Sequence, residues 1–220
     1  MRDIDPQVVC LDHTPFFGQS ILRLSITGGI LAQTGLTPRW HESILTRPTL
    51  APYGLMTDEE IGLIPARLMH NLLAAAYEKT SEPIHILWGG GLTALAFIKF
   101  LSSLDRIPPE RARNLSDVTI AHMNHYPQPV HTCTLLLAPD FVYSALPGGL
   151  APTELPPWVP SPDYINLLNA CFRIVLDQNP PPILTVIDLT HPQNSNEQLG
   201  QETANLTGLF ARSLITSLGS

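Results

Sequence analysis

Five short apolar runs, each closed by a polar residue or a glycine, punctuate the chain: VVCLD (8–12), IHILW (84–88), VTIAH (118–122), CTLLLA (133–138) and ILTVID (183–188). Runs that are apolar on both faces predict strands buried inside a parallel sheet, where helices cover both sides. Helical periodicity fills the intervals. Residues 58–78 set Ile61, Ile64, Leu68, Leu72 and Leu73 on one face. Thr57-x-x-Glu60 ahead of them reads as a capping box, and Pro65 predicts a bend. Residues 92–104, 163–177 and 195–217 are the other predicted helices. Strands alternating with helices of this length predict one α/β domain over residues 1–220. Its architecture should be a three-layer sandwich on a mainly parallel sheet of about five strands. The predicted core contains Val9, Leu11, Ile86, Leu87, Ile120, Leu135, Leu137, Leu184, Val186 and Ile187.

Two segments break the rhythm. In SILRLSITGG, Leu22, Leu24 and Ile26 alternate with Arg23, Ser25 and Thr27, which predicts a half-exposed strand turning at Gly28-Gly29. Six prolines fall within residues 147–162, so that stretch predicts a long surface loop, either a binding edge or a plain connector.

Composition narrows the class. Hydrophobic residues make up 44% of the chain and charged residues 14%, the reverse of a disordered sequence. A net charge of −7 without a basic run argues against nucleic acid and anionic membranes as partners. Cys10, Cys133 and Cys171 are too few and too scattered for a disulfide framework, which points to a reduced, cytoplasmic setting. MRDIDPQ lacks the features of a signal peptide. The longest apolar stretch, 84–101, is broken by His85, three glycines and Lys99, so it reads as strand, turn and helix rather than a membrane span.

Three places offer chemistry. Gly89, Gly90 and Gly91 link a strand to a helix, and Gly89-x-Gly91-x-x-Ala94 matches the dinucleotide fingerprint. No carboxylate ends the strand predicted next, as ribose binding requires. The glycines therefore suit an anion or oxyanion site, or a tight turn, as well as a dinucleotide. His122, His125 and His131 lie close in sequence, although their spacing matches no strong zinc pattern. Asp188-x-x-His191 follows the last predicted strand, where a histidine base and its orienting acid could meet a substrate.

DLTHPQNSNEQLG (188–200) resembles the last block of SGNH (GDSL-type) hydrolases, D-x-x-H-P followed by a helix. FFGQSI carries a partial echo of their first block with Ser20 at the serine position, and WGGGLT stands where their third block falls. Gln19 replaces that family's Asp, and Gly91 its Asn. The resemblance implies a hydrolase of esters or acyl groups acting on a small molecule without a cofactor or metal. Ser20 would be nucleophile, His191 base, Asp188 orienting acid, and the amides of Gly89 to Gly91 oxyanion donors. The competing expectation is a non-catalytic α/β module. It would bind a protein partner, a second copy or a small ligand through its strand-end loops and the proline-rich loop with Trp158.

Overall fold

The computed structural model describes residues 7–13, 19–41, 57–77, 84–125, 131–139, 161–182 and 184–190, together with positions 201, 204, 205 and 208. Strand β1 (Gln7–His13) leads to helix α1 (Gln19–Thr34) and strand β2 (Arg39–His41). Helices α2 (Asp58–Gly62) and α3 (Ile64–Tyr77) precede strand β3 (Ile84–Trp88). Helices α4 (Gly91–Ser103) and α5 (Pro109–His125) then lead to strand β4 (His131–Leu137). Helix α6 (Pro162–Gln178) and strand β5 (Leu184–Leu189) follow.

The five strands form one parallel sheet in the order β2-β3-β1-β4-β5. Alternate residues of β1 serve opposite faces, because strand side chains point up and down in turn. Val8 and Cys10 join a cluster built with α3, α4 and α6, whereas Val9 and Leu11 join one that includes Ile26 and Ile30 of α1. Helices on both faces make the expected three-layer α/β sandwich.

Several sequence expectations take their physical explanation here. Thr57 and Glu60 do form a reciprocal capping box, with Glu60 N donating to Thr57 Oγ1 at 3.2 Å and Thr57 N to Glu60 Oε2 at 2.8 Å. Rather than a bend, the chain breaks between α2 and α3, leaving Pro65 in the first turn of α3, where a missing N–H costs nothing. The hairpin expected around Gly28-Gly29 is instead α1. Ile26 and Ile30, four apart and fully buried, mark its inner face, and this packing offsets two helical glycines at about 1 kcal/mol each.

VTIAH is likewise no strand but the second half of α5. Its inner stripe is Ala112, Leu115, Thr119 and Met123, a helical spacing that a five-residue window could not reveal. Of the predicted core, Val9, Leu11, Ile86, Leu87, Leu135, Leu137 and Ile187 are buried. Ile120 and Leu184 are half-buried, and Val186 is exposed because β5 is an edge strand covered less completely than the middle ones. Most of the helix expected over 195–217 and the proline-rich loop up to residue 160 lie outside the described residues. No described helix is long and apolar enough to cross a membrane.

Candidate functional site at the carboxyl edge of the sheet

From β1 the chain crosses toward the β2 edge, and from β4 it crosses the opposite way to β5. Ligands of open parallel sheets bind where connections diverge like this, beyond the carboxyl ends of the strands. In this chain the divergence falls between β1 and β4, and the residues ending β1 define what the crevice offers.

Asp12 turns toward α4. Its Oδ1 accepts from Gly90 N at 2.8 Å, Thr93 N at 2.8 Å and Thr93 Oγ1 at 2.6 Å, so one carboxylate oxygen caps the helix. An anion at a helix N-terminus is favoured by the free amides and the helix dipole, and here that anion belongs to the protein. Cys10 Sγ donates to the other oxygen at 3.3 Å. Burial first, and then the Asp12 carboxylate, push the Cys10 thiol well above its ordinary pKa, so it stays a proton donor. Thr134, paired in register with Asp12, is buried with its hydroxyl lacking a hydrogen-bond partner among the described residues.

His13 turns to the other face. Its ring lies 4.6 Å from that of Trp88, which meets Trp40 edge-on at 5.3 Å. Trp40 Nε1 donates to Thr27 Oγ1 of α1 at 2.9 Å, and the Arg23 guanidinium sits over the Trp40 ring at 5.1 Å. This aromatic layer ties the middle of α1 to β2 and β3.

The triple glycine is explained by space. Gly89 has φ +80°, a conformation that L side chains rarely adopt. A Cβ on Gly90 would lie 2.3 Å from Cys10 Sγ, and one on Gly91 2.3 Å from Met123 Sδ. The Gly89 amide donates to Leu11 O at 2.9 Å and the Gly90 amide to Asp12, so two of the three amides expected as oxyanion donors are already engaged. The turn is built for close packing of α4 on β1.

The other predicted residues lie elsewhere or beyond description. Ser20 falls in the first turn of α1, with its side chain outside the described residues, as is all of His191. Asp188 is held by Arg173 of α6, with Arg173 Nη2 2.9 Å from Asp188 Oδ2, and by the Thr190 amide at 3.0 Å. Burial would raise the Asp188 carboxyl, but hydrogen bonds from the Thr190 hydroxyl, Arg173 and the Thr190 amide outweigh it and hold the pKa below its ordinary value. His122 lies in the last turn of α5 with Nδ1 3.1 Å from Pro65 O, and His131 opens β4 with Nε2 2.9 Å from Thr185 Oγ1. The described residues hold no group of three or more His, Cys, Asp or Glu able to bind a metal.

One signal was missed. Residues 13–20, HTPFFGQS, have the length and ending of the phosphate-binding motif G-x-x-x-x-G-K-[ST], with His13 at the first glycine and Gln19 at the lysine. They join the central strand to a helix that begins at Gln19, the context that motif requires. Residues 14–18 lie outside the described residues.

No family model matches the chain, and no curated protein does. Solved structures do. Deoxyadenosine kinase from M. mycoides with bound dATP matches with a TM-score of 0.57 at 13% identity, over 91% of this chain and 98% of that one. The same enzyme with dCMP and dCDP as products gives 0.55 at 13% identity, over 92% and 100%. Thymidylate kinase from Candida albicans gives 0.53 at 13% identity, over 94% of each chain. These likenesses overturn the resemblance to SGNH hydrolases and, with it, the esterase reading of Ser20, Asp188 and His191. The chain carries the fold of these nucleoside and nucleotide kinases.

Proposed function

We propose that this protein is a kinase-type nucleotide-binding protein, which takes a nucleoside or its phosphate in the crevice between β1 and β4. The observation that carries this reading is the match of nearly whole chains to deoxyadenosine and thymidylate kinases, with a helix starting straight after the central strand. The phosphate would rest on the N-terminal amides of α1, since that of α4 is taken by Asp12. Gln19 supplies a neutral amide where the motif carries a lysine, so phosphate contacts would come from dipoles rather than a full charge. Residues 114–172 contain neither Lys nor Arg, which leaves little to neutralise charge developing on a transferred phosphoryl group. Binding with slow phosphoryl transfer is the expected behaviour.

Isothermal titration with deoxynucleosides, their monophosphates and ATP, beside a radiolabelled phosphoryl-transfer assay, tests both halves. Saturable binding of at least one such ligand is expected. Absence of binding to all of them at millimolar concentration would sink the proposal.

A further inference from the structure

A second concave surface lies away from the carboxyl edge, where the later turns of α4, the early turns of α5 and the end of α6 converge. Helical spacing builds it. Leu95, Lys99 and Ser102 share one face of α4 and Ala112, Ser116 and Ile120 one face of α5, while α6 adds Val175 and the Asn179 that follows its last turn. The result is a groove of about 220 Å³ with an apolar base. Lys99 and Arg113 contribute to its lining together with Ser102 and Ser116, and no carboxylate lines it among the described residues.

The charge distribution is unusual for this chain. With 19 acidic against 12 basic residues, cations are scarce, yet two of them line one groove. The described salt bridges, Arg111 with Asp58 and Arg173 with Asp188, involve neither. Lys99 is half-buried and makes no salt bridge among the described residues. An Arg fork, a lysine and two hydroxyls in one groove are the donor set that a phosphate dianion satisfies. The volume lies below the range of about 300–1,000 Å³ common for drug-sized ligands, which points to a small one.

We propose that this groove binds a small organic phosphate, a phosphomonoester whose dianion pairs with Lys99 and Arg113 while its carbon body rests on Leu95 and Val175. It is separate from the crevice at β1 and stands whether or not that crevice takes a nucleotide.

Titration of the full chain with glycerol phosphate and with inorganic phosphate, at ionic strength matched with chloride, tests it. Wild type should bind glycerol phosphate more tightly than inorganic phosphate, because only the ester reaches the apolar base. Arg113→Gln, at an exposed position whose change spares the fold, should weaken binding about tenfold or more, and Lys99→Met similarly, as loss of a charged hydrogen-bond partner does. Wild type that does not bind, or an affinity unchanged in Arg113→Gln, overturns the proposal.

Discussion

Asp12 and Thr93 are joined twice, through the Thr93 amide at 2.8 Å and its hydroxyl at 2.6 Å, both to the same carboxylate oxygen. This pair fastens the first turn of α4 to the central strand, with both residues buried. Asp12→Ala would leave the Gly90 and Thr93 amides and a hydroxyl without their acceptor, and should destabilise the fold by about 2–4 kcal/mol. Asp12→Asn keeps an accepting oxygen and should cost clearly less. Urea unfolding of the two variants checks the order, and equal losses would contradict the capping role.

Gly90 and Gly91 should respond differently to alanine. The Cβ at Gly90 meets Cys10 Sγ, a short buried side chain on the central strand, whereas that at Gly91 meets the flexible Met123. Gly90→Ala should therefore cost more than Gly91→Ala. Cys10→Ala should recover part of the Gly90→Ala loss, appearing as a favourable coupling of about 0.5–3 kcal/mol in a double-mutant cycle. A cycle showing simple additivity would remove the steric explanation.

The Arg173–Asp188 pair predicts a pH dependence. The Asp188 pKa is lowered in the folded state, so the carboxylate contributes stability above its unfolded value, and that contribution fades as pH falls through the lowered one. Both partners are partly exposed, so Arg173→Gln should cost under about 1 kcal/mol near neutrality. The gap between wild type and variant should narrow below about pH 4, where unfolded Asp becomes protonated. Thermal melts from pH 7 to pH 3 would reveal a gap that fails to narrow.

Gln19→Lys restores the one charge that the 13–20 segment lacks. Triphosphate affinity should rise about tenfold or more, in line with a charged hydrogen bond replacing a neutral one. Nucleoside affinity should stay nearly unchanged. An equal effect on both ligands, read by titration, would separate Gln19 from the phosphate.

The parallel sheet was legible because its middle strands are apolar on both faces, a pattern with few other physical solutions. Helix α3 followed from a regular apolar stripe, and the start of α2 from the Thr57–Glu60 box. Failures arose where local and global signals competed. Leu22, Leu24 and Ile26 obey a two-residue period for five residues, but the spacing of Ile26 and Ile30 governs the longer segment. The site was harder to read. Asp12 caps a helix 78 residues later, a pairing no local window contains. The likeness of residues 13–20 to the phosphate-loop pattern was hidden because His13 and Gln19 stand at its first glycine and its lysine. The glycines at 89–91 were conspicuous, yet their reason was contact with Cys10 and Met123 rather than ligand chemistry.

Placing β1 at the centre of the sheet has a further consequence for how the chain reaches its native state. Gln7 finds its neighbour at Ile84 and Val9 at His131, so β1 stays uncovered on one flank until β3 has been made and on the other until β4 has been made. Until then VVCL is a bare apolar ribbon, and such distant pairings make folding slow. During synthesis at about 5–20 residues per second, this delay lasts several seconds, in which the apolar edges of β1 are open to aggregation.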